Sequence, residues 1–225
     1  MLLNMQFNES PTELTTSATD AVLVLECIAI IVYLRRGGGD PWRCRLWCWV
    51  FGLIGCSSFL GTVAHGFIWS ETVLSVLWRP LFLCLGILVA LFVVGAAYDW
   101  KGREIAARMV PWSLAVGTVF FVMTEVFSGA FVVFVTYEAV AMIASFAIYA
   151  ISHFTDQLRG AGVVAVAVLL NLVAAGVQAS DVSFHLVFPF DHNGVFHLIQ
   201  MVGLAALGYG LALGMKAKTR ERAAE

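Results

Sequence analysis

The feature that most constrains this chain is a succession of seven apolar runs. Each is about 20 residues long, the length that crosses a hydrocarbon core of roughly 30 Å as a helix. They cover approximately Ser17–Leu34, Leu46–Trp69, Val73–Tyr98, Val110–Phe127, Gly129–Ser152, Gly160–Ala179 and Gly194–Met215. Trp69-Ser70-Glu71 is a short polar turn between the second and third runs. Pro111 to Ile151 is nearly continuous apolar sequence, too long for one span, so Glu125, Ser128 and Gly129 are read as a tight hairpin between the fourth and fifth. The expectation is an all-α membrane protein, a seven-transmembrane helix bundle. It would have a polar N-terminus at residues 1–16, a membrane domain at 17–215 and a basic tail at 216–225.

Composition excludes the main alternatives. With 60% hydrophobic and only 12% charged residues, the chain is too apolar for an ordinary soluble domain. A net charge of −2 offers no basic surface for nucleic acid. The first twenty residues carry Glu9, Glu13 and Asp20 and lack the basic start of a cleavable signal, so the first span is expected to direct its own insertion. Cys27, Cys56 and Cys84 lie in apolar runs and read as small hydrophobes. Cys44 and Cys48 form a C-x3-C pair without a second pair of soft ligands to complete a zinc knuckle.

Basic residues set an orientation. Arg35, Arg36, Arg43 and Arg45 follow span one, Lys101, Arg103 and Arg108 follow span three, and Arg159 follows span five. Lys216, Lys218, Arg220 and Arg222 follow span seven. With seven spans all of these fall on one side, which predicts N-out and C-in, in a plasma or inner membrane. The other side holds Arg79, which is expected to pair with Glu71.

Against this background the segment Asp191-His192-Asn193-Gly194-Val195-Phe196-His197-Leu198-Ile199-Gln200 stands out. Polar groups at a membrane boundary are costly, and a cluster of them marks a site. Counting 1.5 Å of rise per residue, His65 and His197 lie about 6 Å below the outer boundary. Glu26, Glu138, Asn171 and Gln200 lie roughly 10–15 Å below it, with Ser57 and Ser58 slightly deeper. The inner half shows no comparable set. Ser58, Gly61 and His65 share one face of span two, and Asn193, His197 and Gln200 share one face of span seven. Asp191 or Asn193 reads as the helix cap, which leaves His192 to fold back from the loop.

Three imidazoles and a water make a sound zinc site, with the bound water near neutral pKa. His65, His192 and His197 are the candidate ligands. Asp191 or Glu26 is a candidate ligand, positioning group or general base, and Ser58 a candidate for holding a substrate carbonyl. Glu138, Asn171, Asn193 and Gln200 are candidate pocket residues. A substrate entering from the outer leaflet would be an amide- or ester-linked lipid.

Seven spans with a small-residue and histidine face on span two, and a histidine motif opening span seven, resemble the CREST superfamily. That group includes alkaline ceramidases and the progestin/adiponectin-receptor family. The Gly61-Thr-Val-Ala-His65-Gly66-Phe67 and His192-Asn-x-x-Phe196-His197-x-x-Gln200 stretches also resemble a group of uncharacterised bacterial membrane proteins. The superfamily resemblance implies bound zinc and a lipid amide as substrate. Only His65 and His197 carry over position by position. The family serine falls on Gly61, its first span-seven histidine on Asn193, and its aspartate has no counterpart in span three before Asp99.

Two other classes fit the same layer of polar groups. One is a non-enzymatic sensory protein binding a small hydrophobic ligand. The other is a transporter using Glu26 and Glu138. Absence of an interior lysine in span seven excludes a retinal protein.

Overall fold

The computed structural model describes residues 6–127 and 130–224. Seven helices run in order: α1 (Pro11–Arg36), α2 (Pro41–Gly66), α3 (Glu71–Lys101), α4 (Arg103–Val126), α5 (Ala130–Phe154), α6 (Ala161–Gln178) and α7 (His192–Ala224). All seven contain stretches long and apolar enough to cross a membrane. Ser128 and Gly129, where a hairpin was expected, lie outside the described residues, between the end of α4 and the start of α5.

Consecutive helices alternate in direction and pack side by side. The exceptions are α3 against α5, and α1 against α7, which closes the bundle. Apolar side chains face both inward and outward. Leu23, Trp47, Phe51 and Leu211 are fully buried, whereas Leu25, Trp49, Phe59 and Val116 are exposed on the flanks. A helix that is apolar all round suits a surrounding as apolar as the core. Helix approach is close where side chains are absent. A Cβ on Gly117 would meet the backbone of Gly86 at 2.9 Å, so α3 and α4 touch through their backbones.

The first helix begins at Pro11, more than a turn before the expected start at Ser17. Pro at the first helical position costs no hydrogen bond and sets φ for the helix. Residues 11–16 therefore belong to the bundle rather than to a polar tail. Ahead of them the chain runs as an extended strap along the end of α2. Asn8 N–H donates to Gly66 O at 2.9 Å, Ile68 N–H donates to Gln6 O at 2.9 Å, and Phe7 stacks on Phe67. Between α6 and α7 a small antiparallel hairpin pairs β1 (Phe184–His185) with β2 (Pro189–Phe190). His185 is exposed on it.

Two expectations are corrected. Arg79 pairs with Glu125 at 2.9 Å, joining the start of α3 to the end of α4, rather than with Glu71. The expectation that one half of the bundle lacks a polar set is also wrong. At the end away from the N-terminus, Arg43 and Asp99 form a buried bidentate pair, with Nε–Oδ1 2.6 Å and Nη2–Oδ2 2.8 Å. Tyr149 donates to Asp99 Oδ2 at 2.9 Å, and Arg43 Nη1 donates to Leu211 O at 3.1 Å. Four helices, α2, α3, α5 and α7, are thus tied by one network, here termed the clamp. Removing one partner of such a buried pair typically costs about 3–5 kcal/mol, because the other charge is left uncompensated.

Candidate functional site

At the opposite end, helices α1, α2, α3, α5, α6 and α7 surround a cavity of about 600 Å³. That is within the range of small-molecule sites. Its walls are mainly apolar, contributed by residues such as Ile54, Leu85, Phe92, Phe134 and Met142. Polar side chains of α1, α2 and α7, among them Ser58, His65 and His197, form one group on its wall.

The centre of that group is Asp20, a residue the sequence reading counted among the acidic first twenty and did not assign to the site. It is 4% exposed, deep enough to need partners, and it lines the cavity. Ser58 on α2 lines the cavity beside it. Gly61, one turn further along α2, makes room for it: any Cβ there would collide with the Asp20 carboxyl oxygens. His197 on α7 brings Nε2 to 3.5 Å from Asp20 Oδ1. The cue for Asp20 was present in Ser10-Pro11-Thr12-Glu13, an N-cap residue followed by proline and an acid in the first turn. Starting α1 there puts Asp20 nine residues inside it.

Hydrogen bonding fixes the tautomer of His197. Its Nδ1 lies 2.9 Å from Thr19 Oγ1. The single Thr19 hydroxyl proton already points at the backbone oxygens of Thr15 and Thr16, 3.0 and 2.9 Å away. With that proton on either backbone oxygen, Thr19 Oγ1 accepts from Nδ1, and in this tautomer the Nε2 lone pair faces Asp20. An imidazole lone pair and a carboxyl oxygen repel unless a proton, a water hydrogen or a cation lies between them.

His65 is built the same way. Its Nδ1 is 2.7 Å from Glu13 Oε2, its ring sits edge-on to Trp78 with centroids 5.5 Å apart, and it lines the cavity. Glu13 accepts the Nδ1 hydrogen, which leaves Nε2 as a donor atom for a ligand. This arrangement, with one ring nitrogen tied and the other left over, is the one metal-bound histidines use.

The remaining sequence candidates divide. His192, Asn193, Glu138, Asn171 and Gln200 all line the cavity. His192 is the first residue of α7, so it stands at the helix end rather than folding back from the preceding loop. Asn193 Oδ1 accepts from Gln178 Nε2 at 3.3 Å, and Asn171 Nδ2 donates to Ala167 O at 2.9 Å. Glu26 and Asp191 do not line it. Glu26 is turned to α7, beside the backbone of Ala205. Asp191 caps α7, accepting from Gly194 N–H at 2.9 Å and from Thr16 Oγ1 at 3.2 Å, and so pins α1 to α7.

Among the described residues no three His, Cys, Asp or Glu side chains form a ready-made metal-binding group. Of the candidate donors, His197 and Asp20 are the pair brought close, and His65 has its Nδ1 tied to Glu13. The 3.5 Å between His197 Nε2 and Asp20 Oδ1 is close to the edge of a tetrahedron with bonds of about 2.0–2.1 Å, which is about 3.4 Å.

Comparison with known sequences places residues 15–216, nearly the whole chain, in a family of unknown function, DUF6962. The chain belongs to that family. No curated protein and no solved structure matches it. The DUF6962 match spans all seven helices and every residue of the polar cluster except Glu13, so the cavity lies within the region the family shares.

Proposed function

We propose that this DUF6962 protein is an integral membrane hydrolase that cleaves an amide or ester of a lipid amphiphile inside the bundle. The observation that carries this reading is the lining of the cavity, mostly apolar but with Asp20, His197, His65 and Ser58 grouped on it. An amphiphile matches that division, with its acyl chain along the apolar walls and its carbonyl at the polar end.

The basic residues between helices favour the N-out, C-in orientation. Arg43 is withdrawn from that tally by its buried pairing with Asp99, but the bias rests on several other residues. The cavity would then open toward the extracytoplasmic side of a plasma or inner membrane, within reach of outer-leaflet lipids.

His65 and His197, through Nε2, and Asp20, through its carboxylate, are the residues that would hold Zn2+, with His192 at the rim of the cavity. Zinc, when bound, supplies a water with pKa near 7 and polarises a carbonyl. The chain's own contribution is positioning. Thr19 and Glu13 hold the two imidazoles, Ser58 beside Asp20 has one hydroxyl proton to give to a substrate carbonyl, and the apolar walls exclude bulk water. The resemblance to the CREST superfamily implies an aspartate near the third helix, whereas the carboxyl beside His197 here is that of Asp20 on the first.

The test combines metal and activity. Purified protein should contain about one zinc per chain, lost in His197→Ala, and should release fatty acid from lipid amides or esters. Carefully handled wild type free of zinc would remove the metal reading.

Since no three-donor metal group is assembled among the described residues, a second reading is a sensory protein that binds the same amphiphile without cleaving it. Saturable binding with no product release, at any metal concentration, would select it.

A further inference from the structure

The cluster around Asp20 accounts for only one wall of the cavity. On the other side Glu138, from α5, lines the same space, and its Oε2 is buried with no hydrogen-bond partner among the described residues. Gln178, the last residue of α6, also lines it. Its Nε2 is engaged with Asn193, which leaves Oε1 buried and likewise without a partner.

Both orphaned atoms are acceptors. Buried acceptors without donors are rare in folded proteins, since each loses its bonds to water and gains nothing in return. The neighbours of Glu138 cannot supply a donor along its own helix face. Phe134 and Met142, one turn to either side, are apolar and line the cavity with it.

Glu26 provides an internal contrast. It too has a buried Oε2 without a partner, but it is turned to the α7 backbone and away from the cavity. Glu138 instead faces a volume large enough for a ligand. It is eight residues into α5, and Asp20 is nine residues into α1. With 1.5 Å of rise per residue, both lie about 12–14 Å from the same end of the bundle. A ligand head seated against Asp20 and His197 is therefore bracketed by Glu138 at the same level.

We propose that Glu138 is a binding residue that recognises a hydrogen-bond donor, a hydroxyl or an amine, on the polar end of the amphiphile beside its carbonyl. The ligand class is then narrower than lipid esters or amides in general. It comprises acyl amides and esters whose head carries a donor within a few bonds of the linkage. Gln178 Oε1, nearer the rim, offers a second acceptor to the same head. This proposal rests on the cavity being an amphiphile site, but not on turnover or on zinc.

The experiment measures binding of two matched probes to the purified full-length protein in lipid nanodiscs. N-dodecanoylethanolamine carries the donor. Its O-methyl ether keeps the chain, the amide and the ether oxygen but lacks the hydroxyl hydrogen. Trp78 lines the cavity, so tryptophan fluorescence on mixing reports occupancy. Wild type is expected to prefer the hydroxyl probe by roughly tenfold or more, the scale of a hydrogen bond to a carboxylate.

Glu138→Leu should bring that ratio to about one. Glu138→Gln keeps an acceptor oxygen and should retain part of the preference. Thermal unfolding of both variants at or above the wild-type temperature shows that the bundle is intact.

Equal binding of the two probes by wild type, or a preference that survives in Glu138→Leu, overturns the assignment of Glu138 and leaves the cavity reading standing. Binding of neither probe overturns both. A preference that depends on Glu138, without any amide cleavage, supports the assignment and removes only the hydrolase reading.

Discussion

The two ends of the bundle both bury charged side chains, and they do so in opposite ways. In the clamp every group is answered. Arg43 donates to both oxygens of Asp99 and to Leu211 O, and Tyr149 supplies a further donor. At the cavity end the groups are held but not completed. His197 presents a lone pair to Asp20, His65 has one nitrogen left over, and Glu138 and Gln178 each leave a buried acceptor without a donor. A satisfied network has nothing left for a ligand, so the clamp serves stability. A positioned but incomplete network around a 600 Å³ space is what a binding site requires.

Substitutions can break or sharpen this contrast. The largest effect on stability is expected at the clamp. Arg43→Ala should lower unfolding stability by about 3–5 kcal/mol, read from thermal or denaturant unfolding in detergent. Joint replacement of Arg43, Asp99 and Tyr149 by Met, Leu and Phe should recover most of that loss, because no charge is then left buried alone. If the single change were harmless, the clamp would not be the structural end.

Asp20→Asn should show the reverse profile. Turnover of a lipid amide is expected to fall by about 100-fold or more, with stability changed by no more than about 1 kcal/mol. A large loss of stability with activity retained would make Asp20 a helix-joining group and dissolve the contrast.

Gly61→Ala tests the space that Asp20 occupies. The new Cβ collides with the Asp20 carboxyl, so a cost of about 1–3 kcal/mol and weaker amphiphile binding are expected together.

The smallest effect concerns Asp40, which caps α2 beside the clamp. Partial burial works to raise its pKa, but the N–H groups of Arg43 and Trp42, 3.0 and 2.8 Å away, prevail and hold it below the ordinary value. Since the folded carboxyl is the stronger acid, its stabilisation is complete above the ordinary Asp value of about 3.9. It fades as the pH falls through the lowered folded value. Asp40→Ala should cost about 1 kcal/mol near neutral pH and less in acid, measured as a difference in unfolding midpoints.

Much of this was legible in residues alone. The apolar runs located all seven helices, with errors mainly at their ends, because length and hydropathy are local properties. His65, His192, His197, Ser58, Glu138, Asn171, Asn193 and Gln200 were marked from depth and helical phase, and all of them line the cavity. Depth could not separate them from Glu26, which lies in the same layer but faces α7. Rotation about a helix axis is settled by neighbours, and the layer is silent on it. Asp20 was missed because its helix starts earlier than hydropathy suggests, and Asp191 was overrated because a cap and a ligand have the same composition.

By itself the sequence determined an all-α chain of seven helices long and apolar enough to span a membrane, and a surplus of polar groups at one level. Tertiary structure alone decided what each polar group meets. It paired Arg43 with Asp99 across 56 residues and set His197 against Asp20 and Thr19 across most of the chain. Hydropathy acts residue by residue and can be summed along a segment. A hydrogen bond needs two atoms brought together, and here that required helices from opposite ends of the chain to close the bundle.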